Sequence, residues 1–137
     1  MILEPTPDVR QDLIIIGTTI RKPPEIVRAY LASLERQELP PNTRVSYHFV
    51  LDTDEQEVVE IVSEFVRVHD GVAEKVDAIA KDFDDSNTVT HQWTASAMER
   101  VGQLKNRIIT RALDLGAVAV WFVDADLLCD NRTLRSL

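Results

Sequence analysis

The sequence has 137 residues, room for one domain with a real core, and is 45% hydrophobic and 28% charged, as an ordinary globular protein is. Its net charge of −8 counts against nucleic acid or an anionic membrane as the main partner. It leaves open a nucleotide, whose phosphates an acidic site binds through a divalent cation. No apolar run approaches the roughly 20 residues of a membrane span. Residues 1–12 lack the basic-then-apolar pattern of a secretory leader. The single cysteine, Cys129, allows no internal disulfide and points to a reducing, cytoplasmic setting.

Residues 12–20, "DLIIIGTTI", form a short β-branched run that predicts a strand buried on both faces. Pro24 suits a first helical turn. Ile26, Tyr30 and Leu34, with Val27 and Leu31, form one stripe, and Pro40 and Pro41 mark the end of that helix. Residues 44–52, "RVSYHFVLD", alternate Val45, Tyr47, Phe49 and Leu51 as a second strand. Residues 53–68 open with Thr53 or Asp54 as cap and carry Val58, Ile61, Val62 and Phe65 on one helical face. A third strand is expected over 74–83, although Ala and Asp are poor strand formers. Residues 84–94 read as a polar loop. Residues 95–116 read as a long helix with Val101, Leu104, Ile108, Ala112 and Leu115 inward and Gly116 as its stop. Residues 117–124, "AVAVWFVD", give a fourth strand.

This β-α-β-α-β-α-β alternation predicts an α/β fold, a Rossmann-like open parallel sheet with helices on both faces and right-handed crossovers. In such sheets ligands bind at the carboxyl ends of the strands, near a switch in strand order. Three acidic groups fall there: Asp52 with Asp54, Asp82 with Asp84 and Asp85, and Asp124 with Asp126. Carboxylates gathered on one rim repel one another unless a cation neutralises them, and Mg²⁺ or Mn²⁺ prefers such oxygen ligands. Spacing alone is weak. With 13 Asp residues, chance supplies about one Asp-x-Asp pair where three occur. Asp54 also suits a helix cap, and Asp82–Asp85 a solvated turn. Asp124 and Asp126 have the stronger context, because a hydrophobic strand delivers them directly to the rim.

Four segments in order carry a more specific likeness: "IIIGTTIRKPPEIVRAYLASL", "HFVLDTD", "LKNRIITRALDLGA" and "VWFVDADLLCDNRTLRSL". From about Asp12 to Leu137 the chain resembles the N-terminal, nucleotide-binding half of a GT-A-fold glycosyltransferase, closest to the family 2 type. The resemblance implies that Thr18, Thr19 and Ile20 lie against the nucleotide and that Asp52 or Asp54 accepts a hydrogen bond from the base. Lys105 and Asn106 would lie near the nucleotide or its phosphates. Asp124 would contact the ribose or a metal-bound water, and Asp126 would ligate the Mn²⁺ or Mg²⁺ that bridges the diphosphate of a nucleotide sugar. Family members continue well past this point, with the acceptor site and catalytic base in the later half. The resemblance therefore implies a domain that binds donor without turning it over, and names no catalytic residue. "LDTDEQ" also departs from the usual two acids, Gly and Ser.

Several other readings follow from the residues. A sheet ending at the fourth strand would expose an edge, with Trp121, Phe122, Leu127 and Leu128 needing cover, so self-association through that edge is expected. A non-catalytic interaction or self-assembly module is the alternative to donor binding. A receiver-type phosphoryl-transfer domain wants an acidic pair after the first strand, where this chain has "GTT". The same stretch has too few glycines for a P-loop. His91 and Trp93 read as loop packing, His48 and His69 as structural, Arg100 and Arg107 as solvated helix charges, and Cys129 as a packed thiol. One Cys and three His make a zinc site improbable on composition.

Overall fold

Strand β1 (Asp12–Ile20) is the centre of the sheet, with a neighbour on each edge. The computed structural model of the protein describes residues 10–77 and 95–137. After β1 come α1 (Pro24–Glu35), β2 (Thr43–Leu51), α2 (Gln56–Val68), β3 (Gly71–Lys75), α3 (Ala95–Leu115), β4 (Ala119–Phe122) and the short α4 (Thr133–Ser136). The four strands form one sheet in the order β3-β2-β1-β4, parallel throughout. β1 pairs with β2 from Asp12 with Thr43 to Ile20 with Leu51, and with β4 from Ile14 with Ala119 to Gly17 with Phe122. The order reverses at β1, which places the switch point between β1 and β4.

Side-chain alternation divides the core between the two faces. Ile16 and Ile20 of β1, and Tyr47, Phe49 and Leu51 of β2, pack with Val27, Tyr30 and Leu34 of α1 and Val58, Val62 and Phe65 of α2. Leu13 and Ile15 of β1 and Val50 of β2 point the other way, onto Leu104, Ile108 and Ala112 of α3. Helices therefore cover both faces, as the alternating pattern predicts. Aromatic contacts tie the first layer together, with Tyr47 edge-on to Phe65 at 4.9 Å and Tyr30 edge-on to Phe49 at 6.0 Å between centroids.

Apart from Val50, the second face of β2 is polar. Ser46, His48 and, beyond the strand, Asp52 are buried there. They meet α3 through Arg111, which donates to Ser46 Oγ at 3.0 Å, and Arg100, which donates to Asp52 Oδ1 at 3.3 Å. Arg107 pairs with Glu74 of β3 at 3.3 Å. Arg100, Arg107 and Arg111 recur at helical spacing beside the apolar Leu104, Ile108, Ala112 row. One flank of α3 is thus ion-paired to β2 and β3, and its inner row is apolar. Both ring nitrogens of His48 lack a hydrogen-bond partner among the described residues. Burial first, and the Arg111 guanidinium next, hold the His48 imidazole below its usual value, with Glu74 pulling the other way.

Several expectations are corrected. The third strand is Gly71–Lys75, not 74–83, and Val76 still donates its N–H to Leu51 O at 3.1 Å. Pairing with the already placed β2 decides its position, and the weak intrinsic preference of the segment does not. Its expected residues 78–83, and with them Asp82, Asp84, Asp85, His91 and Trp93, lie outside the described residues. The fourth strand is shortened to Ala119–Phe122. The first helix ends at Glu35, and Ile26, placed in its stripe, is 40% exposed. The cap of α2 is Glu55, without a side-chain bond; Thr53 Oγ1 instead accepts from Glu55 N–H at 3.1 Å in the turn before it. Leu115 is exposed. Gly116 is the stop of α3 as expected, with φ 69°; its N–H donates to Leu113 O and that of Ala117 to Ala112 O, a Schellman turn.

Two glycines give opposite tests. A Cβ at Gly17 would sit 1.9 Å from the His48 carbonyl oxygen, which is backbone and cannot yield. Gly17→Ala is expected to cost about 3 kcal/mol or more. At Gly102, inside α3, a Cβ would meet nothing within 4 Å. There Gly102→Ala is expected to stabilise by about 0.5–1 kcal/mol. Urea unfolding of the two variants measures both. His48 sets a pH dependence of defined sign. Its folded value lies below its unfolded one, so the unfolded chain takes up the proton first on acidification. The stabilisation is complete above about pH 7 and is lost as the pH falls through the unfolded value near 6.5. His48→Gln is expected to flatten the stability profile between about pH 7 and 5, as followed by unfolding melts across that range.

Candidate functional site

The carboxyl ends of the four strands line one rim, and of the acids expected there Asp52, Asp54, Asp124 and Asp126 are on it. Asp52 follows β2 and is buried. Its N–H donates to Ile20 O at 2.9 Å. Asp54, two residues on, has a side chain 76% exposed. Asp124 and Asp126 follow β4 and flank Ala125, which is buried in the core. Leu127 N–H donates to Asp124 O at 3.0 Å, closing a turn that turns both carboxylates outward.

The acids do not gather as one cluster. β1 separates β2 from β4, so the two groups stand about two strand spacings apart, roughly 10 Å. No group of three or more His, Cys, Asp or Glu poised for a metal occurs among the described residues. Each acid has instead a cation of the protein beside it. Arg100 reaches Asp52 at 3.3 Å and Lys75 reaches Asp54 at 3.7 Å. Lys105 reaches Asp124 at 3.8 Å and Lys22 reaches Asp126 at 3.8 Å. These four pairs relieve the repulsion that the sequence alone assigns to a bound cation.

Arg100 is the residue that the sequence reading places wrongly. It is not a solvated helix charge: the guanidinium also donates to Asp77 O at 2.7 Å, so it clamps the ends of β2 and β3 to α3. Its partners, 23 and 48 residues earlier in the chain, give no local signal. Arg107 is likewise engaged, with Glu74. Lys22, in the segment between β1 and α1, also escapes a reading by motif. Lys105 is brought to the rim, with its ammonium 5.3 Å from the centroid of the Phe122 ring. Asn106 is exposed on α3, and its side chain makes no hydrogen bond among the described residues. Of the three residues at the end of β1, the side chains of Thr18 and Ile20 are buried, and Thr19 is the partly accessible one.

The backbone behind Asp124 is held from the α1 side. The buried Tyr30 hydroxyl donates to Val123 O at 2.7 Å. Burial first, and nearby Asp124 next, push the Tyr30 hydroxyl far above its ordinary value, so it stays a donor. Buried Gln37 secures the chain beyond the turn. Its amide donates to Asp130 O at 2.7 Å and accepts from Leu134 N–H at 3.0 Å. Cys129 is half-buried, with its thiol raised by burial, a packed thiol as expected. Trp121 and Phe122 are partly covered by the two cores, while Leu127 and Leu128 are exposed.

No family model matches the chain, and no solved structure matches it. A curated relative does. The chain is 26% identical over 130 residues to a protein of Drosophila pseudoobscura pseudoobscura named "Glycosyltransferase 25 family member". The match covers 90% of this chain and 20% of that protein, so the chain spans about a fifth of the length of the relative. The likeness supports a glycosyltransferase-like fold in general, and does not single out the family 2 type that the sequence motifs resemble.

The grip of Tyr30 on the Asp-x-Asp turn is open to direct test. Tyr30→Phe leaves the ring packed and orphans the buried Val123 carbonyl, an expected loss of about 1–2 kcal/mol in urea unfolding. Amide exchange at residues 123–127 is expected to quicken more than exchange in β1.

Proposed function

We propose that this domain binds the nucleoside diphosphate part of a nucleotide sugar across the carboxyl rim, with a divalent metal, Mn²⁺ or Mg²⁺, at Asp124 and Asp126. The observation that carries the reading is the position of these two carboxylates. They follow β4 at the strand-order switch beside β1, where open parallel sheets take their ligands. The glycosyltransferase name of the relative supports the sugar donor as the class of ligand.

The donor set suits the metal. Asp124 and Asp126 are hard oxygen ligands with side chains 64% and 40% exposed. Mg²⁺ commonly binds through one or two carboxylates, keeps water, and completes its shell with substrate phosphates. When bound, the metal would neutralise negative charge on the diphosphate leaving group. The chain's own residues supply the rest of the grip. The roughly 10 Å between the two acidic groups suits a base at β2 and a diphosphate at β4. Asp54 is the freer acceptor for the base, because Asp52 is engaged by Arg100. Thr19 and the backbone of Thr18–Ile20 lie between the two ends.

Titration calorimetry with uridine and guanosine diphosphates, with and without Mn²⁺, tests the reading. Mn²⁺-dependent binding is expected, and Asp126→Ala is expected to weaken it at least a hundredfold, about 3 kcal/mol. If no nucleoside diphosphate binds, the reading falls. If Asp124→Ala and Asp126→Ala leave every property intact, a non-catalytic interaction module replaces it.

A further inference from the structure

We infer that Lys22 and Lys105 are the diphosphate-binding residues of the rim, and that they release Asp124 and Asp126 to the metal as they take up the diphosphate. This inference rests on the reading of the site given above. It adds Lys22 to the grip and makes the two ligands depend on each other.

The geometry of the two pairs carries it. Both ammonium groups stand 3.8 Å from their carboxylates. That is too long for an N–H···O hydrogen bond, which runs to about 3.2 Å. No hydrogen bond joins either pair among the described residues. Surface pairs elsewhere span a range, from 2.7 Å for Arg28 with Glu57 to 3.9 Å for Arg44 with Asp70, and the rim pairs lie at its loose end. The lysines of the rim are therefore held near the acids by charge, without being committed to them. Such partly exposed pairs contribute little and open cheaply.

The two lysines come from different elements and meet different acids. Lys22 comes from the segment after β1, and Lys105 comes from α3. The Phe122 ring lies beneath the Lys105 ammonium at 5.3 Å and keeps it at the rim whether or not Asp124 is its partner. A diphosphate placed over the Asp-x-Asp turn thus meets both ammonium groups. Lysine suits this role, as a compact charge on a flexible stem with three donors.

Charge balance then links the ligands. Two carboxylates and two ammonium groups sum to zero. A divalent cation and the diphosphate diester of a nucleotide sugar also sum to zero. Binding both exchanges partners without leaving net charge behind. Metal alone would take the acids and strand two ammonium groups. Diphosphate alone would take the lysines and strand two carboxylates beside its own phosphates. Each ligand must therefore raise the affinity for the other, and by linkage the factor is the same in both directions.

Calorimetry on the wild-type chain and on the Lys22→Gln, Lys105→Gln double variant tests the exchange. The titrants are Mn²⁺ alone, uridine or guanosine diphosphate alone, and each in the presence of the other. In the wild type, each is expected to tighten the other at least tenfold. In the double variant, the nucleoside diphosphate is expected to bind Mn²⁺-loaded protein roughly a hundredfold more weakly, about tenfold per lost charge-assisted contact. Mn²⁺ alone is expected to bind the double variant several-fold more tightly than the wild type, because its carboxylates are free. Loss of the two ammonium groups favours a cation whatever the lysines do, so the loss of nucleotide affinity by Mn²⁺-loaded protein is the readout that a merely structural role would not move. Lys22→Arg with Lys105→Arg keeps both charges and is expected to restore most of the nucleotide affinity. If the double Gln variant binds nucleotide as the wild type does, or binds Mn²⁺ no more tightly, the exchange is overturned while the reading of the site stands. If the wild type binds no nucleoside diphosphate with Mn²⁺, both fall together.

Discussion

The rim depends on the main-chain hydrogen bonds that the end of β1 makes to both of its neighbours. Ile20 O accepts from Asp52 N–H at 2.9 Å, and Gly17 O accepts from Val123 N–H at 3.3 Å. One short piece of β1 therefore sets the height of both acidic strand ends. Those ends come from parts of the chain separated by some seventy residues, and no local turn relates them. Gly17 is part of the same constraint, since its Cα lies against the His48 carbonyl with no space for a side chain. The strand-order reversal makes a shared reference strand possible. α1 and α2 occupy one face and α3 the other, on either side of this reference strand.

Charge is arranged on this frame in two grades. At the β2 end, Asp52 is buried and Arg100 spends hydrogen bonds on it and on Asp77 O. Breaking a partly buried pair of that kind strands a charge, so it acts as structure. At the β4 end the pairs are looser and more exposed, and their loss strands nothing that water cannot reach. The two acidic groups look alike as sequence, each an Asp-x-Asp after an apolar strand. In the fold, the first is half locked and half solvated, and the second is open at both carboxylates. Open carboxylates at the β4 end and clamping at the β2 end follow from that difference in burial.

The sequence shows the fold class clearly because its apolar residues do two jobs that are hard to confuse. "DLIIIGTTI" is apolar on both faces and flanked by turns, and α1, α2 and α3 each carry a stripe of helical period. The boundaries of β3 and β4 are not legible, since edge strands take their extent from the neighbour they pair with. The acids of the rim are visible from Asp-x-Asp and strand ends. Their cations are not: Lys22, Lys75 and Arg100 lie 104, 21 and 48 residues from the acids they meet, and only packing brings them there. Gln37 is missed for the same reason, because a buried amide holding Asp130 and Leu134 has no signature at a helix end. His48 reads correctly as structural, although its polar neighbours become visible only once α3 is laid on β2.

Backbone and side chains at the β4 end therefore differ in how readily they move. The main chain from Val123 to Leu134 is tied by the buried Tyr30, by the turn at Asp124 and by the buried Gln37. Such bonds contribute about 0.5–1.5 kcal/mol apiece, and more is lost when one partner is left orphaned. α3 is fixed likewise by Leu104, Ile108 and Ala112 beneath it and by Arg100 and Arg111 beside it. The tips of Lys22, Lys105, Asp124 and Asp126 are held by exposed pairs, each contributing at most about 1 kcal/mol. A ligand that exchanges those partners works against the weak set and leaves the strong set untouched. On the proposed reading, binding at this rim would need rotamer changes at four side chains on a backbone already in place, which would keep the entropic cost of assembling the site low.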